Sequence, residues 1–174
     1  TGNSDSHSFD SELGNPRNLV FMPTDNPADA EQDDMIESVV AGRTQVSSGP
    51  VIAFTIDGYG LGEVVANHGP GDVELQITVQ APAWMPINFV EVLSNHGDVV
   101  FTDTIDPSEN VVRYDEMVTL SPSEDAYFVV RAGHTTAKLG PVNPGQAIYA
   151  ITNPIWVDID DNGDFDPPGL PVVD

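Results

Sequence analysis

The chain has 174 residues, 40% of them hydrophobic, enough for one domain with a buried core and too many for a disordered chain. Five Lys and Arg stand against 28 Asp and Glu, a net charge of −23 that argues against nucleic-acid and anionic-membrane partners, whose phosphates would be repelled. Cysteine is absent, which removes disulfides and thiolate metal sites, and no apolar run approaches the ~20 residues of a membrane span.

In chain order, the first chemistry-bearing stretch is Thr1–His7, with Asp5 and His7 two residues apart. In an extended segment such residues share a face. A carboxylate oxygen and an imidazole nitrogen are ordinary ligands for Zn, Mn or Fe. From spacing alone a solvated turn is the favoured reading. Residues 8–16 read as a loop, and Arg17–Met22 as a short buried strand stopped by Pro23. Asp33 or Asp34 suits a helix N-terminus, where carboxylates meet unpaired N–H groups. Met35, Ile36, Val39 and Val40 then form one apolar face, and Gly42 is the expected cap. Residues 44–50 read as a boundary between two units.

Beyond residue 50 the pattern turns to period two. Val51–Ile56 is strand-like, and Asp57–Gly60 a turn. Val73, Leu75, Ile77 and Val79 alternate with Glu74, Gln76, Thr78 and Gln80, as in a half-buried antiparallel strand. Strands are expected at 89–93, 99–101, 111–114, 117–120, 126–132, 147–152 and 155–157, with a hairpin turn at 95–98. Trp84 and Trp156 read as packing residues. His68, His96 and His134 read as solvated turn histidines beside glycines. About seven to nine short strands with Gly, Pro and Asp punctuation predict an antiparallel immunoglobulin- or fibronectin-like β-sandwich.

The last chemical stretch is Asp158-Ile159-Asp160-Asp161-Asn162-Gly163-Asp164-Phe165-Asp166. Its D-x-D-x-N-G-D-x-D pattern follows a calcium loop, with oxygen donors at Asp158, Asp160 and Asn162 and a glycine for the sharp turn. The bidentate Glu of an EF-hand is replaced by Gly169, so Asp164 or Asp166 would supply the last carboxylate. The alternative is a metal-free Asp/Asn/Gly turn. Calcium is favoured because five carboxylates in nine residues repel one another unless neutralised.

The run GNSDSH, a short acidic spacer and then G-N-P-R-N-L-V resembles the last metal-binding motif of the PHP (polymerase and histidinol phosphatase) superfamily, in its CehA/McbA-type branch. Residues 33–57 look like that branch's exit from the catalytic barrel, and 150–160 like its closing strand. The resemblance implies that Asp5 and His7 hold a divalent metal, Zn, Mn or Fe, in a longer hydrolase of phosphoesters, esters or amides. It leaves Arg17 to face a small-molecule substrate or to pair with a carboxylate. It implies residues 1–48 as the C-terminal remnant of the catalytic domain, a short αβ piece whose partner is the missing N-terminal barrel. Residues 49–174 are then an appended Ig-like sandwich with the Asp-rich loop. None of the four histidines forms a His-x-His pair, so no catalytic set is complete in this chain. The competing function is a calcium-stabilised, non-catalytic Ig-like binding or structural module of an exported protein, secreted or periplasmic.

Overall fold

The computed structural model describes residues 2, 4, 14–140 and 142–166. The elements are β1 (Arg17–Val20), α1 (Gln32–Val40), β2 (Thr44–Ser47), β3 (Val51–Ile56), β4 (Val64–Val65), β5 (Val73–Gln80), β6 (Phe89–Leu93), β7 (Val99–Thr104), β8 (Val112–Leu120), β9 (Ala126–Leu139), β10 (Asn143–Thr152) and β11 (Ile155–Val157). The protein is mainly β, with antiparallel sheets as expected. No helix among the described residues is long and apolar enough to cross a membrane.

The fourteen-residue β9 organises the larger sheet, pairing with β10, β11 and β6. Strand β2 and then β1 extend it beyond β10, β4 adds in parallel to β11, and β7 adds to β6. The smaller sheet is β3-β5-β8. Its central strand β5 alternates as its sequence does: Val73, Leu75, Ile77 and Val79 are fully buried. They form one core with Ile52 and Phe54 of β3 and with Val90, Val92, Phe128 and Val130 of the larger sheet. At ~25 cal/mol per Å² of apolar surface, burying each such side chain stabilises by about 1.5–3 kcal/mol.

Several expectations change. Residues 44–47, read as part of a boundary, form β2, hydrogen-bonded into the same sheet as β9 and β10. The reason is Gln45, buried at 1% exposure. Its Nε2 donates to the Ile52 carbonyl and its Oε1 accepts from the Ile52 N–H, both at 3.0 Å. A side-chain amide thus does the work of a strand neighbour between β2 and β3. Residues 111–114 and 117–120, expected as two strands, are continuous as β8. Helix α1 forms with Gly42 just beyond its end at φ 76°, but its apolar face looks outward. Met35, Ile36, Val39 and Val40 are exposed, and Ser38 is the buried helix residue, its hydroxyl accepting from the Arg43 guanidinium. Trp84 is half-exposed rather than packed in the core. His134 lies within β9, where its Nδ1 accepts from the N–H groups of Thr136 and Ala137.

Candidate metal centre

Three carboxylates converge where β9 begins and β11 ends. The antiparallel register sets Val157 opposite Ala126, so the next pair outward is Asp158 and Asp125. Asp160 follows two residues on. One oxygen from each of Asp125, Asp158 and Asp160 lies within 4.8 Å of the others. Asp158 is fully buried and Asp125 nearly so, while Asp160 is exposed. No Lys, Arg or His among the described residues pairs with any of the three.

The main chain holds this site in shape. Asp158 Oδ2 accepts from the N–H of Asn67 at 3.1 Å and of Gly163 at 2.9 Å, and its Oδ1 from Asp161 at 2.9 Å. The Asp158-to-Gly163 bond closes the loop, and Gly163 sits at φ 93°, where a side chain would be strained. Strand β4 supports the other side: Asp158 N–H donates to the Val65 carbonyl. Asp125 Oδ1 accepts from Ile159 at 2.8 Å and Asp160 at 3.3 Å, and its Oδ2 from Asp166 at 2.7 Å. Asp160 accepts from the Asn162 backbone and side-chain amide. Burial works to raise the Asp158 pKa, but donation from the N–H groups of Asn67, Gly163, Asp161 and Asn162 outweighs it, so the carboxyl is held below its ordinary value. It is therefore charged at neutral pH inside the protein.

Of the residues singled out from sequence, the structure brings together Asp158 and Asp160. Asn162 turns its Oδ1 to the Asp164 N–H and its Nδ2 to Asp160. Asp164 and Asp166 are exposed at the loop's surface, and Asp166 contributes its N–H to Asp125. The third carboxylate comes from Asp125, more than thirty residues upstream, which sequence reading did not single out. Asp5 and His7 lie outside the described residues. Arg17 is exposed on β1, an edge strand of the larger sheet, and its side chain makes no hydrogen bond or ion pair among the described residues. His68 lies between Asn67 and Gly69, whose N–H groups both donate to Asp158, but its own Nε2 is 3.5 Å from Asp57.

The donor set decides which ion fits. All three groups are hard carboxylate oxygens, the ligands of Ca²⁺ and Mg²⁺, with neither imidazole nor thiolate among them. Oδ2 of Asp125 and both oxygens of Asp160 each accept only one of the hydrogen bonds above. An oxygen of this kind accepts a second partner. The three acidic residues can therefore hold a hard divalent cation. Comparison with protein-family profiles, with curated proteins and with solved structures finds no match for this chain.

Proposed function

We propose that this chain is a calcium-stabilised, non-catalytic Ig-like β-sandwich module. The single observation carrying this reading is the convergence of Asp125, Asp158 and Asp160, two of them buried, with no cationic partner among the described residues. Carboxylates gathered this closely with no countercharge repel one another, and a bound cation relieves that repulsion. The ion ties the β9 and β11 ends of the larger sheet to the loop at 158–166. Its contribution is to stability, because binding to the folded state alone adds to the unfolding free energy.

Terbium luminescence tests the assignment. Tb³⁺ takes oxygen sites of this kind, and Trp156, two residues before Asp158 with its ring 6.4 Å from that of Phe165, is the sensitiser. Sensitised emission should saturate, be displaced by Ca²⁺ and vanish in Asp125→Asn. Emission displaced equally well by sodium chloride would reduce the site to surface charge.

A second reading keeps the chain as the C-terminal part of a PHP-type metal-dependent hydrolase. What favours it is the seat of Gly2, at the start of the GNSDSH run. Its N–H donates to Asn18 Oδ1 at 2.8 Å, and its carbonyl accepts from Asn18 Nδ2 at 2.7 Å, beside edge strand β1. On this reading Asp5 and His7 would be metal ligands, Arg17 would face substrate, and the isolated fragment would hydrolyse neither esters nor phosphodiesters with added Mn²⁺ or Zn²⁺. A reading frame upstream of Thr1 encoding His-x-His on a βα repeat supports it. A linker or another sandwich there removes it.

A further inference from the structure

Strands β7 and β8 are consecutive in the chain but belong to different sheets, and each is an edge. Among the described residues β7 pairs only with β6, and β8 only with β5. A groove of about 600 Å³ runs between them. Its lining breaks the sandwich pattern at two places. Asp103 of β7 stands opposite Val90, and Glu116 of β8 opposite Ile77, and both partners are fully buried core residues. Directly opposed residues share a face of the sheet. Both carboxylates therefore occupy core-facing positions, yet both are exposed. Tyr114 lies between them in β8 and donates to Asp103 Oδ2 at 3.3 Å. Burial, Asp103 and Glu116 together push its phenol up to about 12, so all three groups share one field. No cation pairs with either carboxylate among the described residues.

Arg113 lines the same groove and is the one cationic side chain that does so. It sits where the β5–β8 register shifts, and it is nine-tenths buried. Its Nη2 donates to the carbonyls of Pro82, Ala83 and Met85, while Nε and Nη1 have no acceptor among the described residues. With its guanidinium turned to those carbonyls, Arg113 leaves Asp103 and Glu116 without a countercharge among the described residues.

We infer that the groove between β7 and β8 is a docking site for an extended, basic segment of a partner protein, which adds to β8 as the next strand of the smaller sheet. Two needs are met by one occupant. Its main chain pairs with the free edge of the nine-residue β8. A lysine or arginine, its aliphatic stem along the apolar wall at Phe101 and Val118, places its charge between Asp103 and Glu116. A second copy of this chain is disfavoured: the net charge is −23, and an inward-facing charge on an edge strand resists pairing with its own kind. The same charge that rejects a like copy selects a basic one.

The test uses a fluorescently labelled synthetic peptide of β8's length that alternates lysine with threonine. Anisotropy at low salt should show saturable binding. Glu116→Gln, an exposed change that leaves the fold intact by circular dichroism, should weaken it about fivefold. Methylating alternate backbone nitrogens of the peptide, which removes its edge-facing donors, should abolish binding. Absence of binding, equal affinity for a glutamate–threonine peptide, equal affinity of Glu116→Gln, or equal affinity of the methylated peptide each overturns the inference. The last two outcomes identify general charge attraction and cation capture without strand addition.

Discussion

Replacing Asp125 by Asn perturbs the candidate ion site with little change of shape. Wild type and variant are unfolded thermally at neutral pH, with and without about 10 mM CaCl₂. If the site binds in the range of extracellular calcium modules, Kd about 0.1–1 mM, then RT ln(1 + [L]/Kd) gives a stabilisation of about 1.4–2.7 kcal/mol. In a domain of this size each kcal/mol moves Tm by roughly 2–4 °C, so the wild-type midpoint should rise by roughly 3–11 °C. Asn keeps an oxygen that can accept from Ile159 and Asp160, but its amide nitrogen cannot accept from Asp166, so one bond to a charged acceptor is lost. That costs the ion-free protein about 1.5–3 kcal/mol. The variant should therefore start lower and gain almost nothing from calcium. Differential scanning calorimetry reads both numbers. The reasoning fails if MgCl₂ or sodium chloride at equal ionic strength reproduces the wild-type rise, or if the variant responds to calcium as wild type does.

The remaining predictions concern the scaffold. The Asp158 carboxyl is held below its ordinary value, so the unfolded chain binds its proton first as pH falls. The stability it contributes is full above the unfolded pKa and is lost as acid carries the pH down through the lower, folded pKa. Urea unfolding across that acid range should show a slope that Asp158→Asn flattens. Gln45→Leu strands the buried N–H and carbonyl of Ile52 and should cost about 2–5 kcal/mol by urea denaturation; a loss below ~1 kcal/mol would mean that the two groups find other partners. Gly62 sits at φ 80° with the Ala41 carbonyl where a Cβ would go, so Gly62→Ala should destabilise by more than about 2 kcal/mol, measured the same way.

What the sequence could reveal followed the range of its physics. Strand β5 was legible because one face meets the core and the other meets water. Asp158 and Asp160 were legible because a sharp-turning loop concentrates its donors within a few residues. Asp125 was not, since its place depends on the pairing of β9 with β11, and an Asp ending a Ser-Pro-Ser-Glu-Asp run reads as an ordinary turn residue. Strand β2 was missed because Thr-Gln-Val-Ser buries polar side chains, and their partners lie in other strands. The periodicity of α1 identified its apolar face but not its direction, which the Ser38–Arg43 contact reverses. Strand β8 read as two pieces because Asp115 and Glu116 interrupt its apolar pattern. Glu116 breaks that pattern at a core-facing position that opens into the groove.

The reach of β9 has a consequence for how the molecule assembles. Ser48, just past β2, bonds the carbonyls of Ala147 and Tyr149, a separation of about a hundred residues in sequence. The early strands β2 and β6 have nearby partners in β1 and β7, but they join the body of the larger sheet only once 126–152 has been made. Such distant pairings put the entropy of closing large loops ahead of the contacts that reward it, which places this chain among slow folders. On the ribosome most of the chain must emerge before the larger sheet can close, and until then its apolar strands wait in solvent.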